Sequence, residues 1–120
     1  MKHILIVEDD TTFAVMLQTW LSKKKFSVAS VSGIAAAKKT LIESSVDLVL
    51  CDLRLPDGDG IDLLEWVSNR NVNVPLIVMT SYAAIPSAVQ AMKLGARDYI
   101  SKPVNPEEKI NEVFNAGVRT

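Results

Sequence analysis

Apolar and polar positions change their spacing repeatedly along this chain, and the changes outline its elements. Ile4-Leu5-Ile6-Val7 is a continuous apolar run, the pattern of a strand buried on both faces. Phe13, Met16, Leu17, Trp20 and Leu21 then fall on one face of a helix. Asp10 or Thr11 can cap its start, and Lys23-Lys24-Lys25 suits its negative end as a solvated terminus. Phe26–Val31 alternates and predicts an edge strand. Ser32 or Gly33 starts a second helix with Ile34, Ala37 and Leu41 facing inward. Val46–Cys51 predicts a third strand, and Gly60 opens a helix with Ile61, Leu64 and Val67. Pro75 precedes a fourth strand, Leu76-Ile77-Val78-Met79. Pro86 suits the first position of a helix carrying Val89 and Met92, which Gly95 ends. Asp98-Tyr99-Ile100 is a fifth strand that Pro103 stops, and Pro106-Glu107-Glu108 opens a last helix with Ile110, Val113 and Phe114.

Five strand–helix units in succession predict an α/β domain, one parallel sheet with helices on both faces. Ligands of such sheets bind beyond the carboxyl ends of the strands. Glu8, Asp9, Asp52, Thr80 and Lys102 all fall at such ends. At 120 residues the chain is one domain. A hydrophobic fraction of 48% with 22% charged residues is ordinary for a globular protein. The net charge of −1 gives no footprint for nucleic acid. No apolar stretch is long enough to span a membrane, and Met1-Lys2-His3 leads directly into a strand, so a cytoplasmic location is expected. There is no internal repeat, low-complexity stretch or linker.

The chemistry concentrates at Glu8-Asp9 and Asp52. Three carboxylates gathered at one crevice repel one another, and a divalent cation relieves the repulsion. Mg²⁺ accepts such oxygen ligands and keeps waters for itself. Asp52 can then act as a nucleophile that forms an aspartyl phosphate. Lys102 offers a further positive charge, and the Thr80 hydroxyl can donate to a phosphoryl oxygen. No glycine-rich phosphate cradle is present, so a nucleotide is not the obvious donor. Other polar residues have plainer readings. Asp10 is a helix cap, and Asp57 and Asp59 form turns around Gly58 and Gly60. Cys51 is a core residue facing away from Asp52, and His3 lies on the surface. Met16, Met79 and Met92 fill the core.

Glu8-Asp9, Asp52 within Asp-Leu-Arg-Leu-Pro-Asp-Gly-Asp-Gly, Thr80-Ser81 and Tyr99-Ile100-Ser101-Lys102-Pro103 together resemble the receiver domain of bacterial two-component response regulators. The resemblance covers essentially the whole chain. It implies a flavodoxin-like (βα)5 fold with strand order 2-1-3-4-5. It implies that Asp52 accepts a phosphoryl group from a sensor histidine kinase, and that Mg²⁺, for which Mn²⁺ can substitute, is held by Asp9, Asp52, the backbone carbonyl of Arg54 and, through water, Glu8. Thr80 and Lys102 would contact the phosphoryl group, and the Lys102–Pro103 peptide would be cis. Thr80 and Tyr99 would form the switch that remodels the face of helix four, strand five and helix five, where family members dimerise or dock an effector. Arg54 and Tyr82, two residues after Asp52 and Thr80, would set the lifetime of the phosphoform. Both are large and neither orients an attacking water, so slow self-dephosphorylation is expected.

Such a domain is a phosphoacceptor that catalyses its own modification, not an enzyme with turnover, and it touches neither nucleic acid nor membrane itself. Leu55-Pro56-Asp57-Gly58-Asp59-Gly60 and Lys102-Pro103-Val104-Asn105-Pro106 are similar to receivers of nitrogen-regulator-type transcription activators. Residues 1–120 are accordingly expected to be the N-terminal part of a longer regulator. Three rivals remain at this point. A small Mg²⁺-dependent aspartyl-phosphate phosphatase would want a second carboxylate where Arg54 stands. A flavin-binding protein of the same layout would want an uncharged phosphate loop where Glu8-Asp9-Asp10 stands. A receiver that docks without phosphorylation would have no need of the full residue set.

Overall fold

The computed structural model describes residues 2–70, 74–80 and 85–101, with the backbone alone at 80, 85–88 and 101. The elements follow in the order β1 (His3–Val7), α1 (Thr11–Lys23), β2 (Ser27–Val31), α2 (Ile34–Glu43), β3 (Leu48–Asp52), β4 (Arg54–Leu55), β5 (Gly58–Asp59), α3 (Gly60–Asn69), β6 (Leu76–Thr80), α4 (Ile85–Lys93) and β7 (Asp98–Ser101). Five strands form one parallel sheet in the order β2-β1-β3-β6-β7. Counting only those five, the order is the expected 2-1-3-4-5. The remaining two, β4 and β5, pair as a separate antiparallel ribbon between β3 and α3, which the periodicity did not predict. The last helix, Lys102, Pro103 and Tyr82 lie outside the described residues.

The continuous apolar runs become the inner strands. Ile4, Leu5, Ile6 and Val7 are buried, as are Leu48 to Cys51 and Leu76 to Met79. Burying each such side chain contributes roughly 1.5–3 kcal/mol. Strand alternation divides the interior into two layers. Leu5, Val7, Val49, Cys51 and Val78 meet α2 and α3 through Ala37, Leu63, Leu64 and Val67. Ile4, Ile6, Leu48, Leu50, Ile77 and Met79 meet α1 through Phe13, Leu17 and Leu21. Among the described residues β2 lies at one edge of the sheet, beside β1, and β7 at the other, beside β6.

Helix faces depart from the expected ones in two places. Met16 is 48% exposed, while Ala14 is buried. In α4, Val89 and Met92 are 47% and 39% exposed, while Ala91 is fully buried. Of the three methionines expected in the core, only Met79 is there. Large apolar residues outweighed neighbouring alanines in the periodicity, but alanine is what allows a helix to approach a sheet closely. Strand ends also shift: β2 starts after Phe26, and β3 starts at Leu48 and runs on to include Asp52.

Helix ends are explicit. Asp10 caps α1, its carboxylate accepting from the Phe13 amide at 3.1 Å. Asp59 caps α3 in a reciprocal box with Asp62, so it is a cap and not merely a turn former. The helices α1 and α4 finish alike: Phe26 N–H donates to Leu21 O at 3.2 Å, and Ala96 N–H to Ala91 O at 3.0 Å. The left-handed residue is Gly95 (φ 108°) after α4, but Lys25 (φ 70°) after α1.

Candidate functional site

Parallel register brings the acidic residues together. Val7 pairs with Cys51 across β1 and β3, so the residues that follow, Glu8-Asp9 and Asp52, leave the sheet side by side. One carboxylate oxygen from each of Glu8, Asp9 and Asp52 lies within 4.8 Å of the other two. Glu8 is only 2% exposed, Asp52 is half-buried and Asp9 is exposed. The Glu8 backbone is fixed by donating to Val31 O at 3.0 Å, and its Oε2 accepts from the Asp10 amide at 3.2 Å. The set is graded from dry to wet, with Glu8 at its base.

Oxygen-only donors of this charge suit a small hard divalent cation. Ligands about 2 Å from an octahedral ion stand roughly 3–4 Å apart. A spread of up to 4.8 Å therefore suits a shell in which one carboxylate reaches the ion through water. The donor set fits the cation that the resemblance implies.

Past Asp52 the backbone is tightly held. Leu53 is buried, and its amide donates to Met79 O at 3.3 Å. The Arg54 amide points back to Asp52 Oδ1 at 3.4 Å, and the Arg54 side chain is exposed. Arg54 belongs to the β4–β5 ribbon, opposite Asp59. The Gly60 amide closes the loop on Leu53 O at 2.8 Å. Cys51 is buried in the opposite layer as expected, its Sγ 3.2 Å from the carbonyl oxygen of Asp52. Burial first, and then the charges of Asp52, Asp59 and Glu8, push its thiol pKa far up.

On the other side of β3, Asp52 pairs with Met79, and Thr80 is the next residue of β6. Thr80 pairs in turn with Ser101 of β7. The backbone of Thr80 thus lies at the same sheet edge as Asp52. Tyr99 is 37% exposed.

Asp57 does something the sequence reading missed. At the tip of the ribbon its carboxylate accepts from the Ile34 amide at 2.8 Å and the Ala35 amide at 3.0 Å, capping α2 from 22 and 23 residues away. Gly33, the residue before α2, supplies no side-chain cap of its own. A Cβ on Gly33 would lie 2.8 Å from Asp57 Oδ1. A glycine where a cap residue is expected was the one available signal.

Residues 4–114 match the response regulator receiver domain family. The chain is 36% identical over 104 residues to the response regulator protein PilR of Pseudomonas aeruginosa, a match covering 87% of this chain and 23% of PilR. It is 37% identical over 102 residues to the transcriptional regulatory protein ZraR of Klebsiella oxytoca, covering 85% of this chain and 23% of that protein. The crystal structure of the receiver domain of TorR, response regulator of the TMAO respiratory system, superposes with a TM-score of 0.87 at 29% identity, over 99% of this chain and 98% of the other. The chain therefore spans less than a quarter of the length of the first two relatives. No helix among the described residues is long and apolar enough to cross a membrane. Sequence match and sheet order converge on one assignment, and the chain belongs to the response regulator receiver domain family.

Proposed function

We infer that Asp52 is the phosphoacceptor of this receiver. The observation that carries the reading is the convergence of Glu8, Asp9 and Asp52 at one sheet edge. Asp9, Asp52 and the Arg54 carbonyl would hold Mg²⁺ or Mn²⁺, with Glu8 contributing through water. Such a cation would supply neutralisation of the charge on the phosphoryl oxygens. An Asp52 carboxylate oxygen attacks the phosphorus of a phosphohistidine in line. The new P–O bond replaces the P–N bond, and the imidazole leaves with the electron pair. Lys102 and the Thr80 hydroxyl contact the transferred group. Cation and lysine do for phosphoryl transfer what it most requires, positioning and charge neutralisation.

The switch then runs through Thr80 and Tyr99. Thr80 drawn toward the phosphoryl group leaves space that Tyr99 turns into from the surface, altering the face of α4, β7 and the helix the sequence pattern predicts after them. The exposed Val89, Met92 and Tyr99 give that face the apolar character a docking or dimer surface needs. The donor is a cytoplasmic sensor histidine kinase, and the output is an effector in the same chain or a partner. Similarity to PilR and to ZraR, the latter a transcriptional regulatory protein by name, supports a receiver of the nitrogen-regulator type within a longer transcription regulator.

Acetyl phosphate with Mg²⁺, followed by intact mass measurement, tests the reading. Wild type gains one phosphoryl mass and Asp52→Asn gains none. A wild type left unmodified, or equal labelling of Asp52→Asn, removes the assignment.

A further inference from the structure

We propose that Asp57 is a positioning residue for the cation site, acting through the ribbon that carries Arg54. The proposal rests on the phosphoacceptor reading above and adds to it a device in the chain's own loop. Arg54–Leu55 and Gly58–Asp59 are a two-residue ribbon, and so short a pair is marginal by itself. Its base is fixed on both sides, by the Leu53 amide on Met79 O and by the Gly60 amide on Leu53 O. Among the described residues its tip is anchored from outside the ribbon by the two short hydrogen bonds from the Ile34 and Ala35 amides to the Asp57 carboxylate. A bare Gly33 makes room for that carboxylate. The two amides also hold the Asp57 pKa below its ordinary value, Ala35 first and Ile34 second, so the carboxylate stays charged.

The consequence falls on Arg54. Its amide faces Asp52 Oδ1, and its carbonyl is the backbone oxygen the cation would use. With the tip clamped to α2, the carbonyl is held in place before the cation arrives. With the tip free, cation binding must also order the ribbon. Asp57 therefore acts on cation affinity and leaves the reacting atoms untouched.

Three variants separate the clamp from a merely structural role. Asp57→Ala removes it, and Asp57→Asn keeps one acceptor. Gly33→Ala leaves the Asp57 charge but displaces its oxygens, on a backbone (φ −162°) that alanine adopts freely. Mg²⁺ titration by calorimetry is expected to show affinity weakened about 10-fold in Asp57→Ala and Gly33→Ala, the lower end of what losing an outer partner costs a metal site. Asp57→Asn falls between them and wild type. Amide exchange at Ile34 and Ala35 quickens in the same order. The acetyl phosphate labelling rate returns to the wild-type value at saturating Mg²⁺. Wild-type Mg²⁺ affinity in Asp57→Ala, unchanged exchange at those two amides, or a labelling rate that stays low at saturating Mg²⁺ would each overturn the proposal. Failure of the phosphoacceptor reading shows separately, as a wild type that binds Mg²⁺ but takes no phosphoryl group.

Discussion

The carbonyl oxygen of Asp52 occupies the space that a side chain on Gly60 would fill. A Cβ built on Gly60 overlaps that oxygen and approaches the Leu53 Cα at 3.1 Å. Both obstacles are backbone, so neither can swing aside. The helix α3 starts against the end of β3, which carries Asp52, because its first residue has no side chain.

Gly60→Ala is accordingly expected to destabilise the domain by about 1–3 kcal/mol, the usual range for overpacking a close contact. Urea unfolding checks the magnitude. The variant should also bind Mg²⁺ more weakly, since relief of the overlap must move Asp52 or the start of α3.

Asp57 gives a pH signature with a definite sign. Its native pKa is lowered by the two α2 amides, so its contribution to stability is complete above the ordinary aspartate value and is lost as pH falls through the lower native one. Asp57→Asn should thus be less stable than wild type at neutral pH, and the two should converge in strong acid. Denaturant midpoints measured from neutral to acid pH test this, and a gap that persists or widens in acid contradicts it.

Lys25 adopts at the end of α1 the left-handed conformation that Gly95 adopts after α4. A side chain there costs roughly 1–2 kcal/mol, offset in part by the greater freedom of glycine in the unfolded chain. Lys25→Gly is expected to raise stability by about 0.5–1 kcal/mol. Thermal unfolding of the two proteins decides the sign.

The phosphoform should decay slowly. Arg54 and Tyr82 offer no carboxylate or carboxamide to orient an attacking water. Decay followed by intact mass in Mg²⁺ buffer should be slower than for the double variant Arg54→Asn with Tyr82→Glu. Loss of the label within seconds, or equal decay of both proteins, would refute this.

Cys51 should be inert in the folded protein. Burial and three nearby carboxylates disfavour the thiolate, the species that reacts. A chromogenic disulfide reagent is expected to titrate it in denaturant only, and prompt reaction of native protein would contradict the burial.

The strands were legible because their chemistry is simple. Ile4–Val7, Leu48–Cys51 and Leu76–Met79 are apolar on both faces, a pattern that a covered parallel sheet satisfies, and acids follow where the first two runs stop. Helix faces were less legible, because Met16 and Met92 carry a strong apolar signal yet face water while Ala14 and Ala91 pack. The role of Asp57 was hidden for a different reason. Local turn chemistry explains Pro56-Asp57-Gly58 adequately, and the amides that claim the carboxylate lie more than twenty residues earlier in the chain. Asp59 was misjudged more mildly, because a turn former and a helix cap use the same residue types.

Cys51 and Asp52 are consecutive, yet one is buried in a core layer and the other is half-buried at the rim of the sheet. A single peptide unit is therefore a lever between packing volume and signalling chemistry. Enlarging or shrinking the residue at 51 is expected to shift the Asp52 carboxylate, because the Cys51 side chain touches the Asp52 backbone, while leaving its chemistry unchanged. The sensitivity of this receiver could in that way be retuned from inside.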